Sequence, residues 1–295
     1  MQIGFIGLGV MGNPMAANLI GSGRYRVRVY DIDRARADNL VELGAEPADS
    51  VATAVNGADI VMTSLPGPQQ IDAVAFAEDG LFANLSGGTA WIELSTNNLE
   101  CAGAIQAAAE ARGIELLDAP VSGGDEGARA GSLTIMVGGE AEVFERCRPV
   151  LEVIGERISR LGPLGAGYSA KIAQVVLSYL NALALSEALL LGVKGGVDPN
   201  EMLAIIQKST SGSYAADRYG PPILAGDYDP SFTVGLSHKD MKLAREMAQS
   251  LGLKLPICEL ATDTYARAVD EFGFDANHLK AVRLLEQDND TYLQA

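Results

Sequence analysis

The sequence has few of the residues that build metal and disulfide sites. Its three cysteines are Cys101, Cys147 and Cys258, and its two histidines are His238 and His278. The cysteines form no CxxC pair, and neither histidine has a metal-binding spacing such as HExxH. An odd, scattered set of cysteines is typical of free thiols in a reducing compartment. We therefore expect no metal site and a cytoplasmic protein.

Positive charge is scarce as well. The chain has 22 Lys and Arg against 38 Asp and Glu, a formal net charge of −16. Nucleic acid and anionic membranes repel such a surface, so we expect neither as a partner. Met1 and Gln2 lack the basic region of a signal peptide. The length of 295 residues predicts about two domains, and an apolar fraction of 48% is typical of a globular protein.

One apolar run is long enough to be considered as a membrane-spanning helix. Residues 175–193 read VVLSYLNALALSEALLLGV, about the length that a bilayer requires. The run contains Asn181 and Glu187, and a helix that is apolar nearly all round is also typical of a protein core. We interpret it as a buried helix, with no membrane span.

Strand-like and helix-like segments alternate in the first half of the chain. The predicted strands are 3–6, 26–30, 59–65, 89–94 and 114–118, and helices are predicted at 10–20 and 35–43. Such alternation predicts right-handed crossovers and a parallel sheet covered on both faces. Trp91, in one of these strands, is expected in the core.

The pattern changes at the glycine- and proline-rich residues 162–167. Beyond them we predict only helices, at about 168–194, 200–207, 239–251 and 257–271. The sequence therefore predicts an α/β Rossmann-type, doubly wound N-terminal domain (1–164). An all-α C-terminal domain for substrate binding and oligomerisation (165–295) follows, beginning with the long interdomain helix.

A glycine-rich segment follows the first strand. Gly7-Leu8-Gly9-Val10-Met11-Gly12 has the GxGxxG spacing and opens a helix. Gly7 would make the tight turn, Gly9 would let the backbone approach a pyrophosphate, and Gly12 would let the helix pack on the strand. The helix N-terminus offers unpaired N–H groups to phosphates. We assign this whole segment to a dinucleotide; the alternative is a plain turn.

The second strand ends before Asp31, about 20 residues beyond the glycines, where an acidic residue is expected to meet the ribose hydroxyls. A carboxylate there would repel a 2′-phosphate, so NAD is the predicted cofactor. Arg34 and Arg36 are near enough to leave NADP possible. Thr96 lies at the carboxyl end of another predicted strand, the edge where open α/β sheets bind ligands. We assign Thr96 to the cofactor, together with Leu65 and Pro66 at a third strand end.

Two further segments carry polar groups suited to a small carboxylate substrate. Ser122, Gly123 and Gly124 offer a hydroxyl and accessible backbone N–H groups, although a plain turn is the alternative. Lys171 begins the long helix, and Gln174 lies within about 80° of it around the helix axis. Such a polar stripe on an apolar helix needs partners, because an unpaired buried polar group costs about 1–3 kcal/mol. A substrate cleft or solvent would supply them.

Five segments in order resemble the β-hydroxyacid dehydrogenase family. They are the opening GFIGLGVMGNPMAANL, ELST at 93–96, DAPVSGG at 118–124, GAG at 165–167 with Lys171, and Lys239-Asp240. The resemblance implies reversible hydride transfer between NAD(P) and a small hydroxy acid or semialdehyde. It implies Lys171 as the catalytic residue, Ser122-Gly123-Gly124 as substrate-binding and Lys239 near the nicotinamide. It also implies a homodimer or homotetramer.

The sequence departs from the family pattern after the lysine. Many members carry Asn four residues after the lysine, where this chain has Val175. Others carry it three residues after the lysine, where this chain has Gln174. We predict that Gln174 supplies the amide with a longer reach. Two other functions stay open, imine reduction and a non-catalytic NAD(P)-binding module. Such relatives usually lack the lysine that this chain has at Lys171, which argues against both.

Overall fold

The computed structural model describes residues 1–228 and 232–294. The chain divides into two compact units, Met1–Lys171 and Ile172–Ala295. Each unit is built around its own buried side chains.

The first unit contains one mixed sheet. Within the described residues its strands are β1 (Gln2–Ile6), β2 (Arg26–Tyr30), β3 (Glu46–Pro47), β4 (Ile60–Thr63), β5 (Ala90–Glu93), β6 (Glu115–Asp118), β7 (Val121–Ser122), β8 (Leu133–Gly139) and β9 (Gly155–Gly162). The order β3-β2-β1-β4-β5-β6 is parallel throughout. This order is that of a dinucleotide-binding sheet, and the predicted Rossmann-type fold is confirmed.

The far edge of the sheet corrects the expectation of purely parallel strands. Strand β8 pairs antiparallel with β6 and with β7, and β9 pairs parallel with β8. Neither β8 nor β9 was predicted. The connection from β6 to β8 holds only a two-residue strand and a short helix, and an antiparallel pair needs no full crossover.

Helices cover both faces of this sheet. They are α1 (Gly12–Gly21), α2 (Asp38–Glu42), α3 (Val51–Val55), α4 (Pro68–Phe76), α5 (Leu81–Asn84), α6 (Leu99–Glu110), α7 (Gly124–Ala130) and α8 (Ala141–Ile154), with a 3-10 turn at Arg34–Ala37. Successive strand residues enter opposite cores, as the two-residue period of a strand requires. Ile60 and Met62 join one core, while Val61 and Trp91 join the other. Trp91 is fully buried, which confirms its predicted core position.

The long helix α9 (Ala166–Lys194) belongs to both units, because the division falls between Lys171 and Ile172. It begins two residues before the predicted start. The second unit continues with α10 (Pro199–Lys208), α11 (Tyr214–Arg218), α12 (Gly220–Ala225), α13 (Val234–Ser250), α14 (Pro256–Phe272) and α15 (Ala281–Asp288), and with a 3-10 turn at His278–Lys280. Helix α13 begins five residues before the predicted 239, and the Thr233 hydroxyl caps it by accepting from Leu236 N.

Helix α9 is the one helix within the described residues that is long and apolar enough to cross a membrane by length and composition. A core helix of a soluble protein passes the same test. Its residues at helical spacing, Ile172, Val175, Tyr179 and Leu189, are buried in the cores of the second unit. We retain the interpretation of a core helix.

Candidate active site

The glycine-rich loop connects β1 to α1 at the carboxyl edge of the sheet. Gly7 has φ +92°, and a Cβ there would collide with the Ser64 carbonyl oxygen. A Cβ on Gly12 would collide with the Gly7 carbonyl oxygen. At Gly9 a Cβ would meet only Arg36 Nη1, at 3.6 Å. The fold itself therefore requires glycine at the first and last positions, whereas the middle one leaves open space that suits close approach by a pyrophosphate.

Asp31 follows β2 and holds this loop. One carboxylate oxygen accepts from Leu8 N at 2.7 Å and the other from Asp33 N at 2.9 Å. A carboxylate offers about four acceptor sites, so these two bonds leave capacity for ribose hydroxyls. The Arg36 guanidinium lies 3.9 Å from Asp31 Oδ2 and 3.3 Å from the Asp33 carboxylate. The sequence predicted the position of Asp31 but not its role in fixing the loop.

A cavity of ≈ 600 Å³ opens beside the carboxyl ends of β2 and β3. Its lining residues include Arg34 and four acidic residues, Asp31, Asp38, Glu42 and Asp49. Arg34 Nη1 lies 3.3 Å from the Asp49 carboxylate, so part of its charge is already compensated. The surroundings of the predicted ribose position are predominantly acidic.

Thr96 is the accessible side chain where β5 ends. Its neighbours Ser95 and Asn97 are buried, and Thr96 itself is half-buried. The Ser95 hydroxyl accepts from Leu65 N at 2.7 Å and so joins the ends of β4 and β5. Pro66 comes next in the chain at the same sheet edge. The predicted cofactor residues of the first unit thus follow neighbouring parallel strands.

A buried acidic pair lies at this same edge. Glu93 ends β5 and Asp118 ends β6, and the two residues are register partners. Glu93 accepts from Ser95 N at 2.9 Å, from the Thr63 hydroxyl at 3.3 Å and from the Tyr168 hydroxyl at 2.8 Å. Burial raises the pKa of Glu93 from 4.5 to about 6. The sequence identified Glu93 and Asp118 only as members of the segments 93–96 and 118–124, and it predicted no separate role for either acid.

Asp118 holds the beginning of helix α9. Its two oxygens accept from Gly165 N at 2.9 Å and from Tyr168 N at 2.8 Å. Burial raises its pKa from 3.8 to about 6. Lys171 lies one turn beyond Tyr168 and is half-buried. These bonds bring the lysine-bearing turn to the carboxyl edge of the sheet, where the glycine-rich loop and Thr96 also lie.

The predicted carboxylate cradle follows the short strand β7. Ser122 is half-buried, and Gly123 and Gly124 have φ +140° and +64°. A Cβ on Gly124 would meet nothing within 4 Å, so its backbone faces open space. Asp125 follows and is paired with Arg129 at 3.3 Å. The open backbone suits a small anion, and the ion pair compensates the nearest carboxylate.

The second unit contains the remaining predicted residues. Gln174 is exposed, whereas Val175 is 6% exposed and lies in a hydrophobic core with Tyr179 and Met241. Lys239 Nζ lies 2.9 Å from Asp240 Oδ1, and Asp240 Oδ2 accepts from the Tyr179 hydroxyl at 3.1 Å. Of the two positions where the family carries Asn, this chain therefore leaves only Gln174 accessible in this unit.

His278 is buried among three aromatic rings of the second unit, those of Tyr179, Tyr219 and Phe232. Burial lowers its pKa from 6.5 to about 4, which keeps the ring neutral. Among residues 1–228 and 232–294, no group of three or more His, Cys, Asp or Glu side chains is arranged to hold a metal ion.

Two family models cover most of the chain. Residues 2–162 match the "NAD binding domain of 6-phosphogluconate dehydrogenase". Residues 165–285 match the family described as "NAD-binding of NADP-dependent 3-hydroxyisobutyrate dehydrogenase".

Named relatives are similar over nearly the whole chain. The NAD-dependent L-serine dehydrogenase of Pseudomonas aeruginosa is 41% identical over 90% of this chain and 91% of its own. The 3-hydroxyisobutyrate dehydrogenase of the same bacterium is 42% identical over the same shares. The solved structure of Mycobacterium tuberculosis 3-hydroxyisobutyrate dehydrogenase with L-serine has a TM-score of 0.88 and 33% identity, covering 96% of this chain and 98% of that one.

Proposed function

This chain belongs to the β-hydroxyacid dehydrogenase family and is an NAD(P)-dependent oxidoreductase, and we propose that it uses NAD to oxidise a small hydroxy acid, or to reduce the corresponding semialdehyde. The observation that carries the proposal is the bonding of Asp118 to the first turn of α9. That contact brings Lys171 to the sheet edge that also carries the glycine-rich loop and Thr96.

The cofactor residues fit a dinucleotide. Gly7, Leu8, Gly9, Val10, Met11 and Gly12 would hold the pyrophosphate, with Asp31 on the ribose and Leu65, Pro66 and Thr96 at the neighbouring strand ends. NAD is preferred because the lining of the adjacent cavity includes four acidic residues, Asp31 among them, and one arginine. A 2′-phosphate brought there would be repelled, since like charges disfavour each other at close range.

A nicotinamide dinucleotide held by these residues would supply or accept the hydride. In reduction, protonated Lys171 provides the proton that the alkoxide oxygen needs, and in oxidation neutral Lys171 takes the proton of the alcohol as the hydride leaves. Ser122, Gly123 and Gly124 hold the substrate carboxylate through a hydroxyl and open backbone N–H groups. Gln174 supplies a substrate amide contact, and Lys239 acts near the nicotinamide.

We also propose that the protein is a cytoplasmic homodimer or homotetramer. Helix α9 has Leu177 59% and Leu191 78% exposed, and on α14 Ile257 and Leu260 are 67% and 68% exposed. Ile257 and Leu260 are one turn apart on α14 and so adjoin each other, and contiguous exposed apolar side chains are typical of protein–protein interfaces. Light scattering at micromolar concentration tests this, and a monomeric mass would contradict it.

The decisive experiment is a substrate screen. Purified protein is assayed for NAD and NADP reduction with 3-hydroxyisobutyrate, glycerate, serine, 3-hydroxypropionate and 4-hydroxybutyrate, and for NADH oxidation with semialdehydes and cyclic imines. We expect NAD reduction with at least one hydroxy acid. Turnover of cyclic imines alone would replace the proposal with imine reduction.

A further inference from the structure

Three buried residues from separate parts of the first unit meet where helix α9 begins. We call Glu93, Asp118 and Tyr168 the acid–tyrosine network. Glu93 and Asp118 are 0% and 1% exposed, and Tyr168 is 3% exposed. Asp118 bonds the Tyr168 backbone N–H at 2.8 Å, and Glu93 bonds the hydroxyl of the same residue at 2.8 Å. The network therefore holds Tyr168 at both its backbone and its side-chain end.

Two glycines give the Asp118 carboxylate its space. A Cβ on Gly138 would collide with Asp118 Oδ1, and a Cβ on Gly167 would lie 2.7 Å from Oδ2. Any larger residue at either place would push the carboxylate away from the helix. The first turn of α9 can therefore approach β6 this closely only because both positions are glycine.

The network is costly for the fold. Burying a carboxylate is unfavourable unless it is well paired, and within the described part of the chain the donors to Glu93 are neutral. Burial accordingly raises the pKa of both acids to about 6. An apolar side chain at position 93 would avoid this cost, so the arrangement calls for a role other than stability.

We propose that Glu93, Asp118 and Tyr168 are positioning residues. They fix the position of the first turn of α9 along the helix axis and its rotation about that axis, and thereby the position of the Lys171 amino group. Tyr168 and Lys171 are three residues apart, which puts them on neighbouring turns of one helix face. A rotation of the turn about its axis moves the lysine together with the tyrosine. The inference rests on the proposed role of Lys171 in proton transfer.

The first test removes one hydroxyl. Tyr168→Phe keeps the ring and deletes the bond to Glu93. We expect kcat to fall about 10-fold, since a misplacement of about 1 Å can cost about 100-fold. The KM for NAD is expected to stay within twofold, because the glycine-rich loop and Asp31 are untouched.

The matched control is Tyr25→Phe in the same unit. Tyr25 donates to the Pro149 carbonyl at 2.9 Å, a bond of similar length that involves neither α9 nor the carboxyl ends of the strands. Its kcat is expected to match wild type. A Tyr168→Phe kcat within twofold of this control would overturn the inference.

A second variant changes the other acid. In Asp118→Asn the amide NH₂ replaces an oxygen that accepts from a backbone N–H, so two donors face each other. We expect a larger loss of kcat than for Tyr168→Phe. A kcat equal to wild type would count against the network, and if Asp118→Asn fails to fold, Tyr168→Phe carries the test.

A readout other than activity separates this inference from the proposed function. Hydrogen exchange of the amides in 165–171 is expected to be faster in Tyr168→Phe than in Tyr25→Phe, and equal rates would overturn the inference. If Lys171→Ala stays fully active, the proposed function itself fails. If Lys171→Ala is inactive while Tyr168→Phe matches its control, only the positioning inference fails.

Discussion

The two units each hold one tyrosine of helix α9 against a buried carboxylate, but they compensate the charge differently. In the first unit Tyr168 donates to Glu93 at 2.8 Å, and the other donors to that carboxylate are a backbone N–H and a hydroxyl. In the second unit Tyr179 donates to Asp240 at 3.1 Å, and the Lys239 ammonium lies 2.9 Å from the same carboxylate. The Glu93 carboxylate accepts hydrogen bonds from neutral donors, whereas the Asp240 carboxylate has a cation beside it as well as the tyrosine hydroxyl.

The difference indicates that the two units have different roles. The first unit surrounds its predicted site residues with buried bonds that determine backbone position at the sheet edge. The second unit leaves its predicted substrate residue, Gln174, exposed on a helix surface. We therefore expect changes in the first unit to alter rate and cofactor binding strongly, and changes at Gln174 to alter substrate affinity modestly.

The largest effect is expected at Lys171. Lys171→Ala should lower kcat by about 100- to 10,000-fold, the usual loss for one general acid or base. NADH binding should stay nearly intact, because the change affects proton transfer and leaves the glycine-rich loop unchanged. Steady-state kinetics and fluorescence titration with NADH measure the two quantities. A variant with more than half of the wild-type kcat would contradict the role.

The burial of Glu93, which raises the pKa of its carboxyl, predicts a pH dependence of stability. The pKa of Glu93 is 4.5 in the unfolded chain and about 6 in the fold. Between these values the folded state binds more protons than the unfolded one. The free energy of unfolding therefore falls by about 2 kcal/mol as the pH rises from below 4.5 to above 6.

Glu93→Gln removes that titration while Asp118 still titrates in both proteins. Urea unfolding at pH 4.5 and pH 7.5 is expected to show a smaller decline for the variant, by about 1.6 kcal/mol, because half of the unfolded chains have already lost the Glu93 proton at pH 4.5. Parallel declines in the two proteins would show that Glu93 does not carry the effect.

Substitution of Asp31 tests the predicted cofactor-binding residues of the first unit. Asp31→Ser removes the bond to Leu8 N and a ribose acceptor, and a lost buried hydrogen bond costs about 1–3 kcal/mol, so we expect about 10-fold weaker NAD binding. It also removes a repulsive charge, which should narrow the gap to NADP. Asp33→Ser, at a more exposed acid two residues on, is the control for the ratio of NAD to NADP affinities. A wild-type preference for NADPH would contradict the prediction.

The smallest effect is expected in the second unit. Gln174→Ala should raise the substrate KM by about fivefold and change kcat less, as expected for a contact made equally in the ground and transition states. An unchanged kcat/KM would show that the amide is structural or idle. Val175→Asn offers a contrast: Val175 is buried, so an amide there should lower the free energy of unfolding by about 1–3 kcal/mol.

Much of the fold was predictable because its signals are local. The predicted strand 26–30 coincides with β2 (Arg26–Tyr30), because its alternating sequence, with Val27 and Val29 buried, is typical of a half-buried strand. Strand β9 was missed because most of its residues are half-buried or exposed and only pairing with β8 defines it. The assignments of Ser122, Thr96, Gln174 and Lys239 to particular ligand contacts stay predictions.

By itself, the sequence determined the glycine-rich loop, the position of Asp31 after the second strand and the position of Lys171 at the start of a long helix. These depend on spacings within one turn or one βαβ unit, of which the longest is the distance of about 20 residues from the glycines to Asp31. The acid–tyrosine network could not be deduced in this way, because Tyr168 is 50 residues from Asp118 and 75 from Glu93. Only the tertiary structure decided it: parallel strands bring their carboxyl ends to one edge, and a buried carboxylate there must bond whichever donors the fold brings near.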